Sequence, residues 1–255
     1  MKHYQFKIIT NTFDAEKELS VRGLQHLYSI EELDCTLIGG FAHSLNLQNL
    51  KHSKLISQDD GSVDWQQEWQ AHAPNFDGEL MHIPNYDLRI KPGPGFGDLS
   101  HPTTQLMIEM MQKAFLKNSV IDLGCGSGVL GCVALKCNVK QLYMVDIDPL
   151  ALDHSRLNVE LNDLPQAVYS SDVKPEWQPD TILMNMIWQE QMQVMDAYPF
   201  LREFKGNWIL SGILKEQQSD YMKWAGITPD HILEKDNWIC VQGSTSCHPY
   251  RPFHP

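Results

Sequence analysis

The sequence lacks an apolar run of the roughly 18 residues that a membrane-spanning helix needs. Its start, Met-Lys-His-Tyr-Gln-Phe-Lys, mixes polar with apolar side chains, so no signal peptide is expected. Hydrophobic residues make up 42% of the 255 residues and charged residues 20%, which leaves enough apolar surface for a packed core. We therefore expect a soluble cytoplasmic protein with no membrane partner.

Cysteine pairs with the spacing of a zinc or redox motif are also missing. Among the six cysteines, no two are separated by two residues. Buried free thiols in a reducing compartment are the ordinary state of such cysteines. We predict no metal site.

Positive charge is scarce as well. Lysine and arginine number 20, against 32 aspartate and glutamate residues, for a formal net charge of −12. Because phosphate contacts supply much of the affinity for nucleic acids, direct nucleic-acid binding is disfavoured. A basic protein is the partner that this charge favours.

The length of the chain favours one full-sized domain and a small additional one. We predict a small α+β unit over residues 1–62, with substrate recognition as a candidate role. A connector with a glycine-rich loop follows over residues 63–100. The main domain then covers residues 101–243, and a loose tail covers residues 244–255.

Three elements are predicted within the small unit. Residues 4–10 alternate enough to form a strand. Residues 14–29 show helical spacing of their leucines, and Asp14 stands at the N-cap position. Residues 35–38 form a short predicted strand, which the glycine pair that follows would end.

Strand and helix patterns alternate through the rest of the chain. This alternation favours a mostly parallel sheet with helices on both faces, so the predicted fold class is α/β, a Rossmann-like doubly wound sheet. Strands are predicted over residues 79–83, 86–91, 120–123, 141–145, 181–185 and 208–210. Helices are predicted over residues 63–72, 101–116, 127–136 and 149–161.

The strongest motif is a glycine loop, Asp122-Leu-Gly124-Cys-Gly126-Ser-Gly128, between a predicted strand and a predicted helix. Glycines let the backbone turn sharply and let a ligand approach the main chain closely. Asp146 ends the next predicted strand, where a carboxylate can accept hydrogen bonds from ribose hydroxyls. This arrangement indicates a nucleotide-like cofactor; a tight turn without a ligand is the alternative.

The spacing of the loop separates two classes of cofactor. A dinucleotide loop would have its third glycine where this chain has Val129. The Gly-x-Gly-x-Gly spacing behind Asp122 suits a nucleoside cofactor without a pyrophosphate. The N-terminus of the following helix would favour the carboxylate of a methionine moiety.

The loop, followed by Tyr143-Met-Val-Asp146-Ile-Asp-Pro149, resembles class I S-adenosylmethionine-dependent methyltransferases. More narrowly, residues 63–243 are similar to the bacterial methyltransferases of large-subunit ribosomal protein eleven. One segment departs from that family, which usually has Phe-Gly-Thr-Gly-Thr where this chain has Phe96-Gly97-Asp98-Leu99-Ser100. The segments that carry the narrower resemblance are Trp65 to Trp69, Pro94-Gly-Phe-Gly97 with His101-Pro-Thr-Thr104, Asn185-Met-Ile, and Ile209-Leu-Ser-Gly-Ile-Leu214.

The resemblance implies S-adenosylmethionine as the cofactor and residues 101–243 as the catalytic domain. It implies a protein N-methyltransferase that acts on lysine side chains and the N-terminal amine of a ribosomal protein. A methyltransferase of the same fold with another protein or a small molecule as substrate is one alternative. A cofactor-binding protein without catalysis is another.

The resemblance also implies the roles of single residues. Gly124, with Asp122 and Gly126 in the same loop, would lie against the methionine part of the cofactor. Asp146 would bind the ribose, and Thr104 would contact the cofactor, with an ordinary polar residue in the first helical turn as the alternative for Thr104.

Two further cofactor contacts are left open between two interpretations each. Phe96 would pack near the sulfonium, because aromatic faces attract cations, or would be a hydrophobic plug. Asp172 follows the segment expected to form the third strand of the parallel sheet and would accept from the adenine amino group, or would belong to a surface turn.

Asn185 is the candidate catalytic residue and also a candidate cofactor contact. It ends a buried apolar strand, where a polar side chain needs a reason. Its amide oxygen would accept a hydrogen bond from the incoming amine and align the lone pair; a strand-end cap is the alternative. The sequence Asn185-Met-Ile-Trp188 has no prolines, which disfavours methylation of a flipped-out base. We name no general base, and we interpret His101 as a helix-entry residue.

Overall fold

The structure, a computed structural model, describes residues 2–32, 35–42, 44–59, 75–93, 96–97, 99 and 101–245. The chain divides into two compact units, Met1–Glu68 and Trp69–Pro255. The domain boundaries and the recognition role predicted from the sequence stay predictions. The helix predicted over residues 63–72 lies outside the described residues.

The first unit is a four-stranded antiparallel sheet with one helix. Its sheet has the order β2-β3-β1-β4. Apolar side chains of the first strand and the helix, among them Phe6 and Leu19, are fully buried against each other. The elements are β1 (Lys2–Ile8), α1 (Thr12–Val21), β2 (Gln25–Glu32), β3 (Cys35–Ala42) and β4 (Ser53–Asp59).

The predicted helix over residues 14–29 was wrong at both ends. The N-cap is Asn11, whose side chain accepts a hydrogen bond from the Asp14 N–H, so Asp14 lies inside the first turn. The helix ends before Gly23, which has a φ of 97° and begins the turn into β2. Leucine spacing alone could not reveal this stop, because tertiary pairing with β3 recruits the residues that follow.

The strand predicted over residues 35–38 continues to Ala42. Gly39 and Gly40 do not end it, because β1 pairs with them on one side. In such a central position, the hydrogen bonds to neighbouring strands outweigh the low strand propensity of glycine.

The second unit contains a hairpin and a large sheet with helices on both faces. The hairpin, β5 (Met81–Ile83) and β6 (Leu88–Ile90), is joined by a 3-10 helix, Pro84–Tyr86. The further elements are α2 (Pro102–Lys113), β7 (Ser119–Leu123), α3 (Val129–Lys136), β8 (Gln141–Val145), α4 (Pro149–Leu161), β9 (Val168–Ser170), β10 (Thr181–Asn185), α5 (Trp188–Ala197), β11 (Asn207–Leu214), α6 (Gln218–Ala225), β12 (Ile227–Lys235) and β13 (Trp238–Thr245).

The large sheet has the strand order β12-β13-β11-β10-β7-β8-β9. The five strands β11, β10, β7, β8 and β9 are parallel to one another, whereas β13 is antiparallel to both β11 and β12. This confirms the predicted α/β doubly wound fold. The chain proceeds from β7 to β8 and β9 on one side and then crosses to β10 and β11 on the other. Ligands of such sheets bind at this reversal, at the carboxyl ends of β7 and β10.

Two apolar cores cover the two faces of the sheet. Successive residues of one strand point to opposite faces, so Leu142 and Met144 belong to one core while Tyr143 and Val145 belong to the other. Helices α2 and α3 cover the first core, and α5 and α6 cover the second. Burial on both faces is why these strands are continuously apolar in the sequence.

The antiparallel end of the sheet corrects two predictions. The strand predicted over residues 208–210 extends from Asn207 to Leu214, and β13 continues to Thr245. Residues 244 and 245 are therefore not a loose tail, because they pair with β11 and β12; residues 246–255 lie outside the described residues. Strand β12 is an exposed edge along most of its length, so it carries little apolar signal.

The described helices include none that combines the length and the apolar character needed to span a membrane.

Candidate cofactor and acceptor site

The glycine loop leaves β7 at Leu123 and enters α3. The backbone N–H groups of Gly124 and Cys125 donate to the Val145 carbonyl oxygen over 2.8 and 3.0 Å. The loop is thereby held at the carboxyl end of β8, beside the position of Asp146. The predicted strand, loop, helix order is confirmed.

Because Gly126 has no side chain, the segment at Phe96 can approach the loop closely. A Cβ atom at this position would lie 2.4 Å from the backbone oxygen of Phe96. The same oxygen accepts a hydrogen bond of 2.8 Å from the Ser127 N–H, and the Ser127 hydroxyl donates to the Gly97 carbonyl over 3.0 Å. The described residues 96–97, which we call the strap, therefore rest directly on the loop.

Asp146 is half-buried and oriented by two backbone donors. Its Oδ2 accepts from the Gly126 N–H and its Oδ1 from the Asp148 N–H, both over 3.0 Å. Each carboxylate oxygen has a further lone pair for another donor. The structure thus places an oriented carboxylate beside the glycine loop, as a ribose diol requires; the ribose contact itself stays a prediction.

Asp122 lies beneath the loop. Its side chain is 1% exposed, and its Oδ2 accepts from the Gly131 N–H over 3.0 Å. The pKa of Asp122 is raised to about 7, mainly by burial; the hydrogen bond from the Gly131 N–H opposes this rise, and the nearby negative charge of Asp146 adds to it. Asp122 ties β7 to the first turn of α3, while its predicted contact with the cofactor stays a prediction.

Asn185 and Thr104 meet on the other side of the reversal. The Asn185 Nδ2 donates to the Thr104 hydroxyl oxygen over 3.4 Å, and both side chains are buried. Within the described part of the chain, Asn185 Oδ1 has no hydrogen-bond partner. A buried acceptor without a partner costs about 1–3 kcal/mol. The oxygen is therefore prepared for a donor from outside the protein, such as an amine.

His101 and Phe96 lie at the entrance to α2. His101 is the N-cap of that helix, and its Nδ1 accepts from the Thr103 N–H, which confirms the helix-entry interpretation. Its ring contacts Phe96 edge-on, with the ring centroids 5.4 Å apart. Phe96 is 54% exposed, so a role as a buried plug is not supported. Packing against a sulfonium stays a prediction.

Asp172 follows β9 at the same edge of the sheet. It is exposed, and its N–H donates to the Ser170 hydroxyl over 3.1 Å, so it forms the predicted surface turn. Its carboxylate also interacts with the Tyr198 hydroxyl, whose pKa is raised by burial first and by this neighbour second. An adenine contact is not tested by these observations and stays a prediction.

Sequence reasoning missed two side chains at the site. Met186 reaches from the end of β10 to the loop: a Cβ atom on Gly124 would lie 2.4 Å from the terminal methyl of Met186. Ile147, directly after Asp146, is 87% exposed and offers an apolar surface that the adenine ring of a cofactor could cover. An apolar residue directly after the strand-end carboxylate of Asp146 was the available signal for Ile147.

The residues present fit S-adenosylmethionine in kind. The closely packed glycine loop admits backbone contacts, Asp146 offers acceptors to hydroxyls, and the orphan Asn185 oxygen offers an acceptor near the loop. Within the described ranges, no group of three or more His, Cys, Asp or Glu residues could hold a metal ion.

Comparison with known proteins gives one consistent family. The family model described as ribosomal protein L11 methyltransferase (PrmA) matches residues 41–246. The ribosomal protein L11 methyltransferase of Teredinibacter turnerae is 33% identical in an alignment 217 residues long that covers 78% of this chain and 71% of that protein. The protein of the same name from Colwellia psychrerythraea is 31% identical in an alignment 201 residues long that covers 71% of this chain and 67% of that protein.

The fold comparison agrees with the sequence comparison. The crystal structure of a ribosomal protein L11 methylase from Lactobacillus delbrueckii subsp. bulgaricus superimposes with a TM-score of 0.55 at 25% sequence identity. It covers 70% of this chain and 93% of that one.

Proposed function

Because the chain belongs to the family of ribosomal protein L11 methyltransferases, we propose that it methylates amines of a ribosomal protein. Family membership makes it an S-adenosylmethionine-dependent protein methyltransferase. The single observation that supports an amine acceptor is the buried Asn185 Oδ1, which has no partner among the described residues. A hydrogen bond from the attacking amine would satisfy it.

The cofactor supplies a methyl group that a sulfonium activates for displacement. The protein's own part is mainly to hold the two reactants in line, which is worth several powers of ten in rate. Asp146 would bind the ribose hydroxyls, and the glycine loop would accept the methionine part. Asn185 would direct the lone pair of the amine toward the methyl carbon.

Proton handling requires little from the protein in this proposal. A lysine acceptor must lose its proton before attack, and desolvation at the site lowers its pKa enough for water to take the proton. No histidine is therefore needed as a base. His101 already accepts a backbone hydrogen bond as the cap of α2.

The charge of the chain supports a basic protein as the acceptor. With a formal net charge of −12, the chain attracts lysine-rich partners and repels phosphates. Lysine side chains and an N-terminal amine of ribosomal protein L11 are the proposed targets, which would locate the reaction in the cytoplasm. We propose residues 1–62 as the recognition unit.

Labelled-methyl transfer tests the proposal. Calorimetry should first show saturable binding of S-adenosylmethionine and none of a nicotinamide dinucleotide. Labelled cofactor should then modify purified ribosomal protein L11, with the Asn185→Ala variant as the control. Label only in another component of a cell extract would move the substrate elsewhere. Binding with no transfer to any extract component would support the non-catalytic alternative.

A further inference from the structure

Gln191 is a buried polar residue near the start of α5, and the proposed reaction gives it no role so far. Its Nε2 donates to the carbonyl oxygens of Met186, over 2.7 Å, and of Ser211, over 2.9 Å. Its Oε1 accepts from the Tyr221 hydroxyl. A glutamine amide has two N–H donors and one acceptor oxygen, so all its groups are used. The opposite orientation of the amide would bring three oxygens together.

The two carbonyl groups lie where the regular pairing of the sheet ends. Met186 is the first residue after β10, and the pairing of β11 with β13 shifts register between Ser211 and Ile213. Gly212 has a φ of 89° there, and a Cβ on it would lie 2.1 Å from the Met186 oxygen. Buried carbonyl groups require partners, and Gln191 donates to both of these carbonyl groups at once.

We propose that Gln191 is a positioning residue for methyl transfer, which holds the turn after Asn185 against Gly212 and so directs the Asn185 amide oxygen toward the acceptor. The inference rests on the proposed function, in which Asn185 aligns the amine. The Met186 carbonyl belongs to the peptide unit between Met186 and Ile187, which is separated from the Asn185–Met186 peptide unit only by the Met186 Cα, so its displacement shifts the backbone at Asn185. A displacement of about 1 Å at such a position can cost about 100-fold in rate.

Tyr221 keeps the glutamine in this orientation. Burial raises the pKa of the Tyr221 hydroxyl well above its usual range, so the hydroxyl remains a donor. The rings of Trp188 and Trp224 lie 5.7 and 5.5 Å from the Tyr221 ring. They surround the hydrogen bonds with apolar surface, where such bonds are stronger than in water.

Met195 offers a matched control for a purely structural role. It lies one turn after Gln191 on the same helix and packs in the same apolar core. Met195→Ala should lower the denaturant concentration at which the chain unfolds without touching either carbonyl group. A merely structural contribution of Gln191 would then resemble that of Met195.

The test compares Gln191→Met, Tyr221→Phe and Met195→Ala in the full chain. At saturating cofactor and acceptor we expect turnover to fall about 100-fold in the first and several-fold in the second. Met195→Ala should stay within about threefold, and the cofactor dissociation constant should change less than about threefold in all variants, because Asp146 is untouched. Amide hydrogen exchange over residues 184–190 should accelerate in Gln191→Met and Tyr221→Phe but not in Met195→Ala.

Two results would overturn the inference. One is unchanged exchange over residues 184–190 in both network variants together with near-normal turnover. The other is an equal loss of turnover in Met195→Ala. If Gln191→Met does not fold, Tyr221→Phe decides alone, since it keeps the ring and removes only the hydroxyl. Failure of the unmodified chain to methylate any amine would instead contradict the proposed function, and the exchange comparison would still show whether Gln191 holds the turn after Asn185.

Discussion

At the ends of β7 and β8 the glycine loop is held by main-chain hydrogen bonds, whereas the site beside the end of β10 is held by side chains from two helices, Thr104 of α2 and Gln191 of α5. On the first side, which we call the cofactor side, the N–H groups of Gly124 and Cys125 bond to the Val145 carbonyl group. On the second, the acceptor side, Thr104 supports Asn185 and Gln191 supports the peptide after it.

The two sides therefore depend on different features of the amino-acid sequence. Main-chain contacts depend on glycine at a few neighbouring positions, so the cofactor side allows little change. Side-chain contacts on the acceptor side depend instead on how separate elements pack, since Thr104 and Asn185 are 81 positions apart in the sequence. We infer that the cofactor side sets affinity for S-adenosylmethionine and that the acceptor side sets the rate with a given amine.

The sharpest way to break this division is Asn185→Ala. Loss of the oriented acceptor should lower single-turnover methyl transfer by about 100- to 1,000-fold at saturating cofactor, because misorientation of the nucleophile raises the barrier. Calorimetry on the same folded variant should show a much smaller loss of cofactor affinity. Thr104→Val, which removes the hydroxyl that receives the Asn185 amide, should share the pattern in weaker form. Near-normal turnover at saturation would reduce Asn185 to a strand-end cap.

The second prediction concerns the pH dependence of stability on the cofactor side, where Asp122 lies buried beneath the loop. It compares the unmodified chain with Asp122→Asn. The pKa of Asp122 is raised to about 7 in the folded chain by burial, against about 3.9 in an unfolded chain. The folded state therefore binds the proton more tightly, and stability falls as the pH rises between these values. From pH 5 to pH 7 the unmodified chain should lose about 2 kcal/mol relative to the variant. Urea unfolding measures this, and parallel curves for the two proteins would contradict it.

Asp146→Ala should act on affinity rather than on turnover. The lost hydrogen bonds to ribose are charge-assisted and worth about 1.5–3 kcal/mol, which corresponds to at least about a tenfold weaker binding of S-adenosylmethionine. Asp148→Ala removes the same charge two residues later and is the control, with little effect expected. Equal affinities of the Asp146 variant and the unmodified chain would show that the ribose lies elsewhere.

The smallest effect is expected at Leu99, in the segment that departs from the family. Leu99 is buried although its φ is 68°, a conformation that costs a side-chain-bearing residue about 1–2 kcal/mol. Both Leu99→Ala and Leu99→Gly lose the buried side chain, but only glycine relieves the strain. The glycine variant should be more stable than the alanine variant by about 1 kcal/mol in chemical denaturation. The reverse order would show that the backbone there is unstrained.

How well the sequence predicted each element depends on the strength of its local pattern. Strand β8, helix α4 and strand β10 have the boundaries that the sequence predicted, because buried parallel strands and capped helices leave strong local patterns. The exposed edge strand β12 was not predicted, because its burial alternates with neither helical nor strand period. The pairing of Gln191 with Tyr221 joins two helices across a core, and a single sequence carries no signal for it.

By itself the sequence determined the doubly wound fold, the cofactor class and the positions of the glycine loop and Asp146. These depend on backbone conformations and strand ends, which a few adjacent residues impose. Only the tertiary structure decided that Asp122 lies buried under the loop, that Asn185 keeps an oxygen without a partner in the described chain, and that Gln191 binds the carbonyl groups of Met186 and Ser211. Those features arise where elements distant in sequence pack together, and burial and hydrogen-bond satisfaction are set only there.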